Sequence, residues 1–349
     1  MSDTQEVILN RMLDDISSDY DKSKGSFVYD ILSGVAKELE SKYKENEDEI
    51  ANAHIDSATG KDLDERVKEY ANIIRKNATY ASGEVTIKAD LNSTFQRGEL
   101  VSIGSINYAA DKDYAADSNG IIKANVICTI LGAAGNTEAN TIIYFPKTLK
   151  GLKTVTNEKA FTNGYNEETD EELRQRYYES VGDPETSGNI SQYKSWAKSV
   201  IGVGDAKVLE CWSGPGTIKI IIIDANKEVA TAELCKEVKN YIESVRPACS
   251  GELTVESAEA VTIDVNLTIT ADTTLKTLDK IKEDIETTID QYLKEISFET
   301  STISYFLIAA KILACEGVKS VTELELNGVK EDISIHENEI AELGSVVYG

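Results

Sequence analysis

The spacing of apolar residues changes along the chain, and this change constrains the fold more than any other feature of the sequence. Up to about residue 80, apolar residues recur every three or four positions, as in helices that are buried on one side. Over residues 85–91 they alternate with polar residues, which is typical of a strand with one buried face. After Phe161 the two spacings follow each other in turn. The sequence therefore predicts an α+β protein with several domains.

The chain has 349 residues, which is more than a single hydrophobic core usually serves. The changes of spacing predict four domains: a helical region over 1–80, a small β domain over 81–160, and two α+β units of ferredoxin-like type over 161–257 and 258–349. A helix, then Gly-Val, a strand and a glycine turn occur in both α+β units, at Gly202-Val203 and at Gly317-Val318. This repeated pattern indicates that the two units are related.

Two predicted helices carry clear apolar stripes. The first follows a capping serine, Ser26, and its stripe consists of Phe27, Ile31, Val35, Leu39 and Tyr43. The second lies in the last domain, and its stripe consists of Leu278, Ile281, Ile285, Ile289, Tyr292 and Ile296. The first stripe is narrow, on a helix crowded with Lys and Glu. Such a stripe packs against other helices, either of this chain or of a neighbouring chain, and the sequence favours neither.

The charge balance excludes one class of partner. Against 36 basic residues stand 61 acidic ones, which gives a formal net charge of -25. Such a chain repels phosphate backbones, and no Lys/Arg-rich stripe interrupts the pattern, so we expect no nucleic-acid partner. The longest purely aliphatic run, residues 220–223, is far shorter than the roughly 20 residues of a membrane span. We therefore expect no membrane insertion.

Five cysteines are scattered along the chain without a C-x-x-C pair: Cys128, Cys211, Cys235, Cys249 and Cys315. An odd, dispersed set fits neither a disulfide scaffold nor a zinc site. The first residues also lack the basic start and apolar stretch of a signal peptide. Both observations predict reduced thiols and synthesis in a cytoplasm.

The residues that catalysis usually requires are scarce. His54 and His336 are the only histidines, which leaves little for a Ser-His-Asp or Cys-His arrangement. No G-x-S-x-G, P-loop or H-E-x-x-H motif is present. The acidic stretch over residues 111–119 lacks the glycine and the final Glu of an EF-hand, so a solvated hairpin turn is the favoured interpretation. We therefore expect no enzyme, no cofactor and no metal site.

An ordered set of residues in the third predicted domain carries a resemblance to a known family. These residues are Leu173, Arg174, Arg176, Pro184, Ser187, Gly188, Asn189, Tyr193, Trp196, Gly202, Val203, Gly214, Pro215 and Gly216. In this order and spacing they resemble the core signature of the baseplate J family. The resemblance extends from about Gly60 to Gly349, and before Gly60 only the helical character is similar. Residues 137–140 depart from the family pattern, which tends to have a small apolar residue and a glycine there.

The resemblance implies a structural role in an assembly. Proteins of this family form the wedges of contractile-tail baseplates. By this resemblance, two copies pair with a smaller wedge subunit, and six wedges close into a ring around the tail hub, beside the sheath-initiator proteins. The helical part is expected to join a bundle near the hub, and the last domain to contact the next subunit. The protein is then expected to reside in the tail baseplate of a virion or a tail-like particle such as a bacteriocin.

Two other functions stay open at this point. A cell-wall or glycan adhesin on the particle surface predicts an exposed aromatic platform, whereas the 16 tyrosines of this chain are dispersed. A carboxylate-based hydrolase is the second alternative, although abundant acidic residues lie close together by chance.

Three signature residues have two interpretations each. Arg174 and Arg176 pair with nearby acids such as Glu171, Glu172 or Glu179 on the surface of their helix, or they contact a neighbouring domain. Trp196 lies one position away from the apolar stripe of its helix. It therefore covers the edge of a core or serves as an exposed interface anchor.

Overall fold

A computed structural model describes residues 3–182, 185–248, 250–274 and 276–349. The described residues form two compact units. The first, here called the helical unit, comprises the residues up to Arg75 together with Glu168–Gly182. The second, here called the α+β unit, comprises Lys76–Glu167 and the described residues from 185 onward. Helices and strands are mixed as the sequence predicts, so the α+β class is confirmed.

The helical unit contains α1 (Gln5–Asp14), α2 (Phe27–Ala51), α3 (Gly60–Ala71) and α4 (Asp170–Gly182). Capping residues begin α1 and α2. The hydroxyls of Thr4 and Ser26 accept hydrogen bonds from the N–H groups of Val7 and Tyr29, which satisfies amides that the first helical turn leaves free. α3 ends at Asn72, whose φ of 55° lies in the left-handed region that closes many helices.

Two small cores hold these helices. One joins α1 to α2 and contains Ile8, Leu9, Leu13 and Ala36. The other joins α3 to α4 and contains Ala58, Leu63, Val67 and Leu173. Packing therefore places residues 168–182 in the helical unit, whereas the sequence pattern assigned them to the domain that begins at residue 161. Leu173 is the only buried residue of α4, so α4 carries no stripe from which its partner could be read.

The β domain of the α+β unit is a nearly closed, barrel-like sheet. Its strands are β1 (Tyr80–Ala89), β2 (Thr94–Phe95), β3 (Leu100–Ile103), β4 (Ile106–Ala110), β5 (Tyr114–Ala115), β6 (Ile121–Leu131) and β7 (Leu152–Thr156). The main sheet has the order β3-β4-β6-β1-β7. Val85 and Ile87 of β1 point into the core, as the alternation predicts. Gly83 leaves room for the ring of Phe161, which a Cβ at this position would approach to 2.0 Å.

The middle domain of the α+β unit contains α5 (Ile190–Ser199), β8 (Val203–Glu210), β9 (Thr217–Asp224), α6 (Ala232–Val245) and β10 (Glu252–Ser257). The sheet order is β10-β9-β8, so β9, which contains the aliphatic run over residues 220–223, is central. Ile220 and Ile222 pack against α5 and α6 on one face. Ile221 and Ile223 pack on the other face against Ile340 of the last domain. Burial on both faces explains why this strand is continuously apolar.

The last domain contains β11 (Glu259–Ala271), α7 (Leu278–Glu295), β12 (Thr302–Ile303), α8 (Tyr305–Ala314), β13 (Val318–Leu326), β14 (Ile333–Ser334) and β15 (Glu339–Tyr348). Its sheet has the order β13-β11-β15, with β11 parallel to β15. The glycine turn predicted after the Gly317-Val318 strand lies at Asn327-Gly328, with φ of 49° and 78°. The next strand along the chain, β14, pairs with β12 and not with β13, so the turn does not begin a long hairpin. In the middle domain, by contrast, β8 pairs directly with β9, so the two domains differ after the glycine turn.

Candidate assembly surfaces and signature residues

The residues that carry the family resemblance lie in both units. Leu173, Arg174 and Arg176 belong to α4 of the helical unit. The residues from Ser187 to Gly216 belong to the middle domain of the α+β unit. Pro184, which the sequence also singles out, lies outside the described residues. The signature therefore describes two separate structural features.

A capping box formed by residues 169–172 begins the signature helix α4. The hydroxyl of Thr169 accepts from the N–H of Glu172 at 3.3 Å, and the carboxylate of Glu172 accepts from the N–H of Thr169 at 2.9 Å. Both bonds satisfy amides at the start of the helix. They fix the position of Leu173, which is fully buried against α3.

Arg174 ties α4 to the chain that precedes α3. Its guanidinium pairs with Glu171 at 2.7 Å, as the helix-surface interpretation expects. It also donates to the backbone carbonyl oxygens of Ile55 and Ala58, at 2.9 and 3.0 Å. These carbonyls are more than 100 residues away in sequence, so this arginine fixes tertiary structure within the helical unit. Lysine cannot reproduce such a set of directed donors.

Arg176 and Arg75 complete what we call the arginine clasp, together with Arg174. Arg176 donates to the carbonyl oxygen of Ile74 at 2.8 Å and pairs with Glu168 at 2.6 Å. Arg75 donates to the carbonyl oxygen of Glu168 at 2.6 Å. The clasp therefore joins the end of the α3 segment to the start of the α4 segment. Planar guanidinium groups suit this task because each offers five donors in a fixed geometry.

A carboxylate, Asp170, lies at the centre of the clasp. It accepts from the N–H of Gly60 at 3.0 Å and from the guanidinium of Arg75 at 2.6 Å. The backbone bond from Gly60, together with the charge of Arg75, lowers the pKa of Asp170 below its ordinary value, although burial opposes this effect. Asp170 therefore stays ionised through the physiological pH range.

Glycine and asparagine shape the start of α5 in the middle domain. Ser187 and Gly188 have φ of 54° and 75° and turn the chain into the helix. Asn189 then caps it by accepting from the N–H of Gln192 at 2.9 Å. The side chain of Gln192 accepts in turn from the N–H of Gly188 at 2.7 Å. This reciprocal pair is equivalent to a capping box and accounts for the spacing of the signature here.

Tyr193 and Trp196 form an aromatic pair on the inner side of α5. Their ring centroids are 5.2 Å apart in an edge-to-face arrangement. Tyr193 is 2% exposed, while Trp196 is partly buried against the same core. Trp196 thus lies at the edge of the core, which is the first of its two interpretations.

The signature glycines occupy tight connections. Gly202 has a φ of 93°, and a Cβ there would lie 2.7 Å from the ring of Tyr165. Gly214 and Gly216, with φ of 109° and 80°, flank Pro215 in the turn between β8 and β9. The hydroxyl of Thr217 closes this turn by donating to the carbonyl oxygen of Gly214 at 2.7 Å. Only glycine adopts these positive φ values without strain.

Sequence reasoning missed two buried carboxylates of the middle domain. Burial disfavours the charge of Asp205, yet the lysines Lys198 and Lys194 hold its pKa below the ordinary value. Asp224 is almost fully buried, and burial raises its pKa to about 7, although the N–H groups of Glu228 and Asn226 favour the charged form. The spacing of Lys194 and Lys198, one helical turn apart, is a signal that could have found the first of these sites.

Two helices expose apolar side chains. On α2, Phe27, Ile31 and Val35 form what we call the α2 stripe, with Phe27 81% and Ile31 50% exposed. On α8, Phe306, Leu307 and Leu313 form what we call the α8 face, with Phe306 77% exposed. α8 is apolar almost all round, a composition that normally occurs in helices covered on every side. Large exposed apolar groups of this kind mark interaction surfaces.

The structure offers no arrangement for metal chemistry among its described residues. Within residues 3–182, 185–248, 250–274 and 276–349, no three His, Cys, Asp or Glu side chains are grouped to hold a metal ion. In the acidic turn over residues 111–119, the carboxylate of Asp117 accepts from the N–H groups of Asn119 and Ile121, each at 2.8 Å.

Among the described residues, no helix has the length and apolar character that crossing a membrane requires.

Comparison with known proteins gives three family matches in chain order. The baseplate J-like barrel domain matches residues 82–164, the baseplate J-like central domain matches 185–257, and the baseplate J-like C-terminal domain matches 261–349. These ranges correspond to the β domain, the middle domain and the last domain of the α+β unit.

Whole-chain relatives agree with these matches. Two Bacillus subtilis (strain 168) proteins, the uncharacterized protein YqbT and the phage-like element PBSX protein XkdT, are 32% and 31% identical over 98% of this chain and 97% of their own. The baseplate protein gp47 of Escherichia phage Mu is 30% identical over 44% of this chain and 43% of its own.

A baseplate chain of the anti-feeding prophage covers 99% of both chains at 10% identity. Its TM-score is 0.40, so the two chains superpose only loosely. The domain matches and the whole-chain relatives are sufficient by themselves: this chain belongs to the baseplate J-like family and is a phage baseplate structural protein.

Proposed function

We propose that this protein is a wedge subunit in the baseplate of a contractile tail, either of a phage or of a phage-tail-like bacteriocin. In this proposal, copies of the chain form a ring around the tail hub, and rearrangement of the ring is coupled to contraction of the sheath. The ring is a bistable element, since contacts between rigid subunits switch between discrete arrangements instead of deforming continuously.

One observation carries the proposal beyond family membership. The α2 stripe and the α8 face expose apolar side chains on two different units of one chain. Exposed apolar side chains that lie together, such as Phe27 with Ile31 and Phe306 with Leu307, are typical of surfaces that another molecule covers. A subunit of a closed ring needs at least two such surfaces, because it contacts one neighbouring subunit on each side.

The expected partners follow from this role. They are a second copy of this chain, a smaller wedge subunit, neighbouring wedges of a six-fold ring, the tail hub and the sheath-initiator proteins. The formal net charge of -25 keeps free subunits in solution and favours basic partners at the points of contact. The same charge disfavours nucleic acid as a partner.

Deletion of the gene in its own locus tests the proposal. After induction, particles are examined by negative-stain electron microscopy. The proposal predicts that baseplates and complete sheathed tails are missing, and that a plasmid copy of the gene restores both. Normal contractile tails in the deletion strain would overturn it. They would direct attention to glycan pull-down and to polysaccharide-clearing assays, which test the adhesin and hydrolase alternatives.

A further inference from the structure

The chain crosses once from the middle domain to the last domain, at Ala258 between β10 and β11. The N–H of Ala258 donates to the carbonyl oxygen of Ile222 in β9, at 2.9 Å. The next amide, that of Glu259, donates to the carbonyl oxygen of Asn338, which precedes β15, also at 2.9 Å. Adjacent amides are therefore bonded to different domains. Hinges between domains are formed by a few residues of this kind, at the ends of elements.

The two domains meet in two different ways beside this crossing. Ile221 and Ile223 of the middle domain pack against Ile340 of the last domain. Elsewhere a cavity of about 250 Å³ lies between them. Charged side chains line it: Glu138 from the β domain, Lys227 and Glu228 from the middle domain, and Asp290, Lys294 and Glu342 from the last domain. We call the contact around Ala258, Ile340 and this cavity the joint.

One ion pair crosses the cavity. Nζ of Lys294 on α7 lies 2.9 Å from the carboxylate of Glu228, in the turn after β9, and 3.1 Å from that of Asp290 on its own helix. Burial disfavours the charge on this amine, but the two carboxylates outweigh burial and raise its pKa. Lys294 therefore remains charged and draws the turn of the middle domain towards α7.

The turn that presents Glu228 has a fixed shape. The carboxylate of Asp224 accepts from the N–H groups of Asn226 and Glu228, each at 2.9 Å. The N–H of Asp224 donates to the carbonyl oxygen of Glu228, also at 2.9 Å, and closes the turn. The pair with Lys294 therefore links two rigid parts, and close-packed parts transmit a change in the strength of that pair to both domains.

Glu342 on β15 adds a third carboxylate beside Lys294. Burial raises the pKa of Glu342, and repulsion from Glu228 and Asp290 raises it further. The N–H of Val229 and the charge of Lys294 favour the ionised form but do not offset these effects. Four carboxylates and two amines line the cavity. Ionisation of Glu342 therefore adds repulsion that the lysines do not neutralise.

The raised pKa determines the direction of the pH response. In the unfolded chain Glu342 has the ordinary value of 4.5, so its neutral form contributes to the stability of the folded chain at low pH. This contribution is lost as the pH rises through the higher pKa of the folded chain. Asp224, whose pKa burial also raises, responds in the same direction.

We infer that the joint is a charge-controlled hinge, in which ionisation of Glu342 loosens the contact between the middle and last domains and loss of that charge tightens it. The pivot lies at Ala258, and the charged cavity widens or narrows as the last domain turns. The inference goes beyond the wedge role and does not depend on it, because it concerns only contacts within one chain.

Hydrogen exchange of the purified full-length chain, followed by mass spectrometry, tests the hinge. Glu342→Gln removes the charge and keeps an acceptor for the N–H of Val229. At pH 8, amides in residues 224–230 and 256–260 should exchange about two- to five-fold more slowly in this variant than in the wild type, which is the effect of one partly screened charge. The difference should shrink at pH 5, where more of the wild-type Glu342 is protonated. Asp224 titrates in both chains, so its effect cancels.

Two further variants control this test. Glu323→Gln removes the same charge from an exposed position of β13 and should leave the exchange of these residues unchanged. Lys294→Gln removes the amine that crosses the cavity and should speed their exchange at pH 8. Equal exchange in the wild type and in Glu342→Gln at pH 8 would overturn the inference. So would a slowing that extends equally over the whole last domain, because Glu342 would then act on the stability of its own domain instead of on the joint.

Discussion

α2 and α7 are two long helices with the same kind of apolar spacing, yet they are buried to opposite extents. α2 has 25 residues, of which only Ala36 is buried. α7 has 18 residues and buries five of them: Ile281, Ile285, Ile289, Tyr292 and Leu293. The stripe of α7 faces the sheet of its own domain. Much of the stripe of α2 is exposed to solvent.

The difference shows what an apolar stripe does and does not predict. Periodicity predicts a helix with one side that must be covered. It does not say whether the cover belongs to the same chain. The apolar side of α7 is buried by its own domain, so α7 contributes to the stability of that domain. The α2 stripe, in contrast, is proposed to be buried only by a partner.

The largest effect is expected at the buried stripe. Ile285→Ala removes a fully buried side chain from the core of the last domain. It should lower the free energy of unfolding by about 2–5 kcal/mol, because it loses hydrophobic transfer energy and leaves a cavity. Urea unfolding of the purified chain measures this loss. A change within about 0.5 kcal/mol of zero is the usual range for surface sites. It would show that the apolar side of α7 is no better buried than that of α2.

A loss of intermediate size is expected at the arginine clasp of the helical unit. Arg174→Ala removes donors to two backbone carbonyls. It should destabilise the helical unit by about 1.5–3 kcal/mol, the range of hydrogen bonds to charged groups. Amide hydrogen exchange in α3 and α4 measures the local loss. Arg66→Ala, at a more exposed arginine of α3, is the matched control and should leave exchange nearly unchanged. Equal effects of both variants would contradict the assignment.

The two units should respond to pH in opposite directions. Burial raises the pKa of Asp224 to about 7 in the folded α+β unit. Its contribution to stability is therefore present at low pH and is lost as the pH rises from about 4 towards 7. The pKa of Asp170 is lowered in the helical unit, so its contribution is present above its ordinary value of 3.8 and is lost as the pH falls below it.

Asp224→Asn tests this difference in urea unfolding at pH 5 and pH 8. The wild-type chain should lose more stability between these two values than the variant does, because only the wild type must bury the charge at pH 8. The substitution keeps an acceptor oxygen for the N–H groups of Asn226 and Glu228. Parallel pH profiles of the two chains would mean that Asp224 does not titrate in this range.

The smallest effect on the free chain is expected at the α2 stripe. Ile31→Ala changes a half-exposed side chain and should alter the free energy of unfolding by no more than about 0.5 kcal/mol. Thermal melts of the purified variant check this value. A loss as large as that of Ile285→Ala would show that the stripe is already buried in the free chain.

Local signals in the sequence were sufficient for much of the fold. The isoleucines of β9 predict a strand that is buried on both faces, and they occupy the central position of their sheet. Asn327 and Gly328 predict a turn with positive φ, which the structure contains. Such features depend on a few neighbouring residues, so a single sequence is enough to find them.

Features that depend on distant partners could not be predicted. The insertion of β11 between β13 and β15 is a matter of strand order, which the Asn327-Gly328 turn does not specify. Arg174 donates to the backbone carbonyls of Ile55 and Ala58. Every residue has a backbone carbonyl, so the residue types in the sequence do not indicate which carbonyl accepts. The hydroxyl of Tyr193 has no hydrogen-bond partner among the described residues, and this too became visible only when its surroundings were known.

If the α2 stripe is an assembly surface, a charge placed on it should prevent assembly. A deletion strain is complemented with Ile31→Asp, and complete sheathed tails are counted by negative-stain electron microscopy. Ser41→Asp, at an exposed position of the same helix away from the stripe, adds the same charge as a control. Ile31→Asp should give a chain that melts like the wild type but forms no baseplates, while Ser41→Asp should restore tails. Complete contractile tails at wild-type numbers with Ile31→Asp would show that the α2 stripe is not an assembly surface.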